Sequence, residues 1–471
     1  MSVIRHPSTL DRASLKPRIL HIGFGAFARA HPMVYLQEGI ETAGGTWGVV
    51  AARLNSGVED LDRLAEADHL YHVAEADGDQ TQLREIGVLC GTCHPARDGA
   101  DALPALIASG DLSVILLTIT EKGYCTSGGA LDLTHPGIRA DLEGAEAPRT
   151  AIGVLVAGLA RRRAAGQGGL TILSCDNQPA NGRLTRRAVV GFARAQDPEL
   201  AAWIEGTVRF PSSMVDRIVP AMTDSSRAEV AEALGRDDAN AILCEPFRQW
   251  VVEDDFAGEA PPFAAGGALL VPDVEPFEDM KLRLLNGAHT TLAWAGQLLG
   301  YETVAEAMTD VPLCAAVRRL MLAEQAPTLD LPAGVDVADY AEDLLARFTN
   351  TRLHHRLDQI ATDTSNKMPQ RLFAPVEQSI TAGRPWPVAA VAIACWVTGL
   401  QRLAPIADPR QEALRAAAAS DRPVAGVLAV PGVIPPTLAH SSEFESEVTA
   451  AYDRIEAQGL SSVLSALMEA T

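Results

Sequence analysis

The spacing of apolar residues divides the chain into two parts. In the first part, short apolar runs alternate with helical patterns, which is typical of an α/β fold with a parallel sheet. Beyond Pro276, long Ala- and Leu-rich stretches with helical periodicity replace that alternation. We therefore predict an N-terminal Rossmann-type doubly wound domain at residues 1–276 and a mostly α-helical C-terminal domain at residues 277–471. The boundary is expected near Val271–Phe277.

The first part opens with a short apolar strand that ends just before Gly23, followed by a helix predicted at Ala30–Ile40. Asp77 and Gly78 are turn formers that separate two later strands, which predicts a hairpin. The run at Val114–Thr118 is continuous and apolar, as in a buried parallel strand. The strands predicted after the first helix are Trp47–Ala52, Tyr71–Glu75, Leu83–Leu89, Val114–Thr118, Leu170–Leu173, Val215–Pro220 and Phe247–Asp254.

Helices dominate the second part. The longest apolar run, Trp386–Leu400, has about 15 residues and falls short of the roughly 20 that span a bilayer, so we predict a buried helix there. The other helices predicted in this part are Thr303–Glu324, Val337–Phe348, Gln411–Ala418 and Glu443–Glu469.

A glycine-rich segment joins the first strand to the first helix. Gly23, Gly25 and Ala28 match the pattern G-x-G-x-x-A. The first glycine allows a tight turn, the second lets a pyrophosphate approach the backbone, and the small third residue lets helix and strand pack closely. We therefore predict a dinucleotide site here, with Phe27 and Arg29 as further contacts.

The end of the second strand leaves the type of dinucleotide open. An acidic residue there usually holds the adenosine ribose of NAD, but Ala52–Ser56 contains no carboxylate. Arg53 is instead suited to the 2′-phosphate of NADP. Thr120 and Glu121 follow another strand at its carboxyl end, where ligands of such sheets bind. We predict that they contact the cofactor, with an ordinary polar loop as the alternative.

Four polar side chains recur along one predicted helix in the second part: Glu278, Lys281, Asn286 and His289. At about 100° per residue they fall within an arc of about 140°. Apolar side chains, among them Leu284, lie on the opposite side. The four groups would therefore face one space, unless they form a solvated polar face beside a core stripe.

Composition excludes several classes of partner. The 471 residues include 39 Lys and Arg against 60 Asp and Glu, and the net charge of −21 disfavours nucleic acid or an anionic membrane. Seven scattered cysteines and no apparent signal peptide indicate a cytoplasmic protein with reduced thiols. The segment Cys90–His94 matches the haem-attachment pattern C-x-x-C-H, but without an export signal we interpret the match as accidental. We predict no metal site.

Six segments in this order resemble the mannitol dehydrogenase family, the polyol-specific long-chain dehydrogenases that include fructuronate reductases. The resemblance runs from Ile19 to about Phe373, and its first two segments are closer to the mannonate-type branch. One departure is Ala28, where the family usually has His. The six segments are Gly23–His31, Thr118–Tyr124, Ser174–Asn177, Val215–Pro220, Trp250–Asp254 and Lys281–His289.

This resemblance implies an oxidoreductase that uses NAD, with NADP not excluded, and in which a lysine takes the place of a catalytic metal. Lys281 would be the general base that removes the hydroxyl proton in oxidation and returns it in reduction. Because an unperturbed lysine with a pKa near 10.4 is a poor base at neutral pH, burial and neighbouring cations must lower that pKa. Asn177 and Asn286 would donate hydrogen bonds to the reacting oxygen as negative charge develops.

The resemblance also implies supporting roles. Asp216 and His289 would orient Lys281 and the substrate, and Glu278 would pass the proton to solvent. A sugar-acid substrate needs a cation for its carboxylate. The candidates are Arg356, Lys367 and Arg371.

The leading prediction is interconversion of D-mannonate and D-fructuronate by a monomer or small homo-oligomer whose partner is this small molecule. A mannitol 2-dehydrogenase or D-arabinitol dehydrogenase, acting on neutral polyols, is the alternative enzyme. A non-catalytic sensor on the same scaffold is a third reading, since fold does not fix function. A sensor, however, has no reason to keep a lysine base beside two amide donors.

Overall fold

The computed structural model describes residues 2–144 and 147–469. The chain divides into two compact units, Met1–Glu275 and Pro276–Thr471. All the strands of the described residues lie in the first unit, and the second is helical. The predicted fold class is therefore confirmed. Among the described residues, no helix combines the length and the apolar character that a membrane crossing requires.

A five-stranded sheet forms the centre of the first unit, and all its neighbouring strands run parallel. Apolar residues fill both faces, since Leu20 packs in one cluster with Leu155 and Ile19 in the other with Met33. Burial on both faces explains why the strands read as continuous apolar runs. In spatial order the strands are Thr171–Ser174, Val114–Leu117, Lys16–Ile22, Trp47–Ala52 and Leu89–Cys93.

In the sequence, helices lie between the strands of this sheet. The predicted helix Ala30–Ile40 is present as Pro32–Ala43, after a short helix at Ala26–Ala30. The other helices of the first unit are Val58–Glu66, Pro95–Asp98, Ala102–Ala108, Thr120–Gly123, Pro136–Glu143, Ala151–Ala164, Asn181–Gln196, Pro198–Thr207 and Asp224–Leu234.

The remaining strands form smaller sheets. The predicted hairpin is confirmed as an antiparallel pair, Tyr71–Asp77 with Gln80–Ile86. Its second strand was predicted to reach Leu89 and instead ends at Ile86, because Leu89 begins a strand of the central sheet. The hairpin shares its sheet with Ser2–His6 and Ile242–Cys244; the other small sheets are Ser213–Asp216 with Gln249–Glu253 and Leu269–Val271, and Thr126–Ser127 with Ala130–Leu131.

Two long helices predicted in the second unit are each interrupted. Thr303–Glu324 is wrong as a single helix, because Asp310 accepts a hydrogen bond from the backbone N–H of Leu313 and starts a new helix with Pro312 in its first turn. Glu443–Glu469 is likewise divided at Gly459, whose φ is 81°. The observed segments are Val304–Ala307, Val311–Arg319 and a π-helical Leu320–Gln325, then Ser442–Gln458 and Leu460–Glu469.

The buried helix predicted at Trp386–Leu400 is present as Pro387–Arg402. It packs against Gly287–Leu298, where a Cβ on Gly399 would overlap the ring of Trp294. Further helices of the second unit are Val337–Phe348, Leu357–Ile360, Thr364–Met368, a π-helical Pro369–Phe373, Ala374–Thr381, Gln411–Ala418, Pro423–Leu428 and Pro436–Ala439.

Candidate active site

The glycine turn has the geometry that a dinucleotide phosphate requires. Gly23 has a φ of +86°, and a Cβ there would overlap the carbonyl oxygen of Thr118, so only glycine fits. Thr118 also donates its hydroxyl to the Gly23 carbonyl at 2.8 Å. A Cβ on Gly25, by contrast, would meet nothing closer than 3.7 Å. The turn is therefore tightly built on one side and open on the other, where a phosphate would approach.

A cleft of about 510 Å³ lies beside this turn, at the carboxyl ends of three neighbouring strands. Gly23, Arg53 and Thr120, which are predicted to contact the cofactor, line this cleft. No Asp or Glu belongs to the described lining, although the whole chain carries a large negative charge. Its basic and imidazole-bearing residues are Arg53, Lys122, His135 and Arg149. A cleft of this size and charge suits an anionic nucleotide.

Arg53 is already engaged by a carboxylate. It forms an ion pair with Asp60, which also pairs with Arg63. Its guanidinium occupies the space where Gly57, with a φ of +78°, would otherwise carry a Cβ. Arg53 thus lines the cleft, and its positive charge is paired with the carboxylate of Asp60 on a neighbouring helix.

The other five predicted cofactor contacts are absent from the described lining of this cleft: Gly25, Phe27, Ala28, Arg29 and Glu121. Phe27 stacks on His31 with ring centroids 4.8 Å apart, and Ala28 is fully buried. Arg29 donates to the carbonyl of Asn240 at 3.2 Å, and burial lowers the pKa of its guanidinium. Arg29 is thus largely buried within the first unit, and its contact with the cofactor stays a prediction.

Asp176 holds together the two loops at the end of the sheet and is not among the predicted site residues. Its carboxylate accepts from the backbone N–H groups of Ile119 at 3.0 Å and Thr120 at 2.9 Å, and from the Tyr124 hydroxyl at 2.7 Å. Burial raises the pKa of Asp176, mainly by removing the carboxyl from water. Thr120 has a left-handed φ of 63°, which these bonds stabilise. Glu121, in the same loop, is exposed.

Asn181 joins the loop after the strand Thr171–Ser174 to the strand Ser213–Asp216, and it is also not among the predicted site residues. Its side-chain amide donates to the carbonyls of Asp176 at 2.9 Å and Ser213 at 2.8 Å, and accepts from the Ser213 N–H at 2.9 Å. Asn177 lies in the exposed turn after Thr171–Ser174, and Asp216 is buried at the end of its strand. A carboxylate two residues after the strand Thr171–Ser174 was the available signal for Asp176, whereas Asn181 begins the next helix.

The helix that carries Lys281 contains a wide turn. An α-helix at Glu275–Met280 continues as a π-helix at Lys281–Asn286 and then as an α-helix at Gly287–Leu298. Hydrogen bonds from i to i+5 put residues five apart about one turn apart, so Lys281 and Asn286 are closer in angle than an α-helix predicts. Such wide turns are rare in proteins, and those that occur often lie at functional sites.

The polar residues of this helix are not a solvated face, so that alternative is wrong. Glu278 is 9% exposed, Lys281 8% and His289 6%. Met280 and Leu284 are buried as well, which means that the helix is enclosed on several sides.

His289 is a buried neutral imidazole in a positively charged environment. Its ring centroid lies 4.7 Å from that of Phe348 and 5.0 Å from that of His355. Within the described part of the chain, its Nε2 atom has no hydrogen-bond partner. Burial above all holds the pKa of His289 well below its usual value, and neighbouring positive charges lower it further: His355, Arg347, Arg371 and Lys281.

The three predicted carboxylate-binding cations differ in their surroundings. Arg371 donates to the Thr290 hydroxyl at 3.0 Å, and burial lowers the pKa of its guanidinium to about 10. It forms no ion pair with any acidic residue that the structure describes. Arg356 is exposed and already paired with Asp358 through bonds of 3.0 and 2.7 Å. Lys367 donates to the carbonyl of Thr362 at 2.5 Å. Arg371 is therefore the candidate best suited to receive a carboxylate.

The C-x-x-C-H segment is structural. Cys90 donates its thiol to the carbonyl of Val49 at 3.6 Å, and burial raises the pKa of both Cys90 and Cys93 to about 11. His94 caps a helix by accepting from the N–H of Ala96 at 3.1 Å. Over residues 2–144 and 147–469, no group of three or more His, Cys, Asp or Glu is arranged to hold a metal ion.

Comparison with known proteins matches nearly the whole chain. Residues 17–264 match the model of the mannitol dehydrogenase Rossmann domain, and residues 273–456 match that of the mannitol dehydrogenase C-terminal domain. The D-mannonate oxidoreductase of Escherichia coli strain K12 is 41% identical, with 97% of each chain covered.

Two solved structures are similar throughout. The mannitol 2-dehydrogenase of Pseudomonas fluorescens, solved with NAD and D-mannitol, is 34% identical with a TM-score of 0.83, covering 99% of this chain and 97% of the other. A D-sorbitol dehydrogenase in substrate-free form is 30% identical with a TM-score of 0.91, covering 98% and 97%.

Proposed function

The chain belongs to the mannitol dehydrogenase family, and we propose that it interconverts a sugar acid and its keto form, with D-mannonate and D-fructuronate as the leading pair. The relative from Escherichia coli acts on D-mannonate by its name, whereas the similar solved structures bear the names of enzymes for neutral polyols. Sequence similarity alone therefore leaves the choice between an acid and a polyol open.

The observation that carries the proposal is the environment of Arg371. Its guanidinium lies near a buried neutral histidine, and other cations act on the same imidazole. The guanidinium is partly buried and forms no ion pair with an acidic residue of the described chain, so its loss of water is only partly compensated by the bond to Thr290. A substrate carboxylate would offset that loss with charge-assisted hydrogen bonds, and the hydroxyl of a neutral polyol would do so only weakly.

We infer NAD as the cofactor. The open side of Gly25 and the cleft beside Gly23 fit the phosphates of NAD. Arg53, the cation that would otherwise favour the 2′-phosphate of NADP, is already paired with Asp60. The similar enzyme from Pseudomonas fluorescens was solved with NAD. When bound, NAD would accept the hydride in oxidation and NADH would return it in reduction.

Lys281 is our candidate for the general acid and base. Its burial on a π-helical turn, with Asn286 about one turn away, supports a hydrogen-bonded pair that holds the reacting oxygen. In oxidation, the amine would take the hydroxyl proton while the amide donates to the oxygen. The neutral imidazole of His289 would orient the substrate. Glu278, Asn177 and Asp216 keep the roles given in the sequence analysis.

Substitution of Arg371 tests the acid against the polyol. Loss of a charge-assisted bond costs about 1.5–3 kcal/mol, so Arg371→Ala should raise the KM for D-fructuronate by about 10- to 150-fold. Arg356→Ala is the matched control and should change that KM less than about twofold, since an exposed ion pair contributes little. Equal effects of the two substitutions on the KM for D-fructuronate would contradict the proposal.

Lys281→Ala should abolish turnover and leave NADH binding nearly intact.

A further inference from the structure

Arg371 is hydrogen-bonded to two other helical segments of the second unit. Its side chain donates to the Thr290 hydroxyl, as described above, and its backbone carbonyl accepts from the side-chain amide of Gln325 at 2.9 Å. Gln325 is 1% exposed and ends the π-helix Leu320–Gln325. One buried amide thus connects the π-helical segment that contains Arg371 to another π-helical segment.

The sequence removes the α-helical donor for this carbonyl. In an α-helix the carbonyl of Arg371 would accept from the N–H of residue 375, four positions later. Residue 375 is proline, which has no N–H. In the π-helical pattern of Pro369–Phe373 the donor would be the N–H of residue 376, and the amide of Gln325 is a side-chain donor to the same carbonyl.

Gly287 is the third member of this contact. A Cβ on Gly287 would overlap the amide nitrogen of Gln325 and would lie 3.0 Å from the carbonyl oxygen of Arg371. Glycine inside a helix costs roughly 0.5–1 kcal/mol relative to alanine, so a packing reason is expected for it. Here the missing side chain makes room for the amide, directly after the Lys281–Asn286 turn.

The amide has a cost that an apolar side chain would avoid. Because Nε2 must face the Arg371 carbonyl, Oε1 points away, and it is buried with no hydrogen-bond partner among the described residues. An unsatisfied buried acceptor costs about 1–3 kcal/mol. Filling the space is therefore an insufficient explanation for a glutamine at this position.

We propose that Gln325 is a positioning residue that sets the place of the Arg371 guanidinium relative to the Lys281–Asn286 turn. It acts through Arg371 and touches no reacting atom. It thereby fixes the distance between the group that binds the carboxylate and the residues that hold the reacting oxygen. This inference rests on the proposed function, because it needs Arg371 to bind the substrate carboxylate.

A double-mutant cycle tests this coupling. Gln325→Leu keeps the volume and removes the donor, and it should raise the KM for D-fructuronate about 10-fold while kcat changes less than about threefold. In an Arg371→Ala background the same substitution should change KM less than about twofold. If the effects of the two substitutions on KM multiply in the double variant, Gln325 has a structural role independent of Arg371 and the inference is overturned.

A second pair of variants separates packing from positioning. Gly287→Ala should lower both stability and the affinity for D-fructuronate, because its Cβ displaces the amide. In Gly287→Ala/Gln325→Ala the new methyl has room, so the melting temperature should recover while the raised KM persists. Recovery of both quantities would reduce Gln325 to a packing role and overturn the inference.

The outcomes also distinguish this inference from the proposed function. If Arg371→Ala leaves the KM for D-fructuronate unchanged, the proposed function fails and the positioning role fails with it. If Arg371→Ala raises that KM and Gln325→Leu does not, only the positioning role fails. NADH affinity, measured by fluorescence titration, should be the same in all these variants.

Discussion

Glu324 gives the second unit a stability that depends on pH. Its two carboxylate oxygens accept from the backbone N–H groups of Val388 at 2.8 Å and Ala389 at 2.9 Å, at the start of the helix Pro387–Arg402. These bonds favour the charged form. Burial opposes them and is the larger effect, so it raises the pKa of Glu324 to about 7. The substitution to test is Glu324→Gln.

The direction and size of this pH dependence follow from the linkage between proton binding and folding. Because the folded protein binds this proton more tightly than the unfolded chain, the contribution is fully present below pH 4.5 and is lost as the pH rises through about 7. At 1.36 kcal/mol per pH unit, the loss is about 3 kcal/mol. The wild type should therefore lose about 3 kcal/mol relative to Glu324→Gln between pH 4.5 and pH 8.

Thermal and urea unfolding at several pH values between 4.5 and 8 measure this difference. For a unit of this size, 3 kcal/mol corresponds to about 6–12 °C in Tm. Glu412→Gln, at an exposed position on the helix Gln411–Ala418, is the control and should run parallel to the wild type. Parallel profiles for Glu324→Gln would refute the reasoning that burial outweighs the two N–H donors, and an opposite slope would show that the donors dominate.

Three further predictions concern the first unit. Gly23→Ala should weaken NADH binding and lower Tm, because it adds a clash with the Thr118 carbonyl to a left-handed φ that costs about 1–3 kcal/mol; unchanged NADH titration would contradict the turn's role. Asp176→Asn should destabilise the unit by about 1–3 kcal/mol, because an amide N–H₂ would face a backbone N–H, and an unaltered urea midpoint would refute this. Asp60→Asn should release Arg53 and raise the affinity for NADPH relative to NADH in calorimetry, whereas an unchanged ratio would show that the ion pair does not govern cofactor choice.

Local features of the fold were accessible from the sequence. The strand Trp47–Ala52 was predicted with its observed bounds, because a continuous run of apolar residues is a local signal. Gly23 was predicted to make a tight turn, and its positive φ agrees with that expectation. The break at Asp310 is marked in the sequence by a capping residue and a following proline, but the helical periodicity continues on both sides of it and predicts a single helix.

Features that depend on distant contacts were not accessible. The π-helical turn at Lys281–Asn286 changes angles that were calculated at 100° per residue, and no residue type marks it in the sequence. Arg356, Lys367 and Arg371 looked alike as cations. Only their partners separate them, since each partner is set by the folded neighbourhood.

The central claim is that this enzyme acts on a sugar acid. The most direct measurement is kcat/KM of the wild type for NADH-dependent reduction of D-fructuronate against D-fructose, followed as NADH absorbance under the same conditions. With the Arg371 guanidinium to receive the carboxylate, worth about 1.5–3 kcal/mol, the acid should be preferred by at least about 10-fold. A kcat/KM for D-fructose equal to or above that for D-fructuronate would contradict the account.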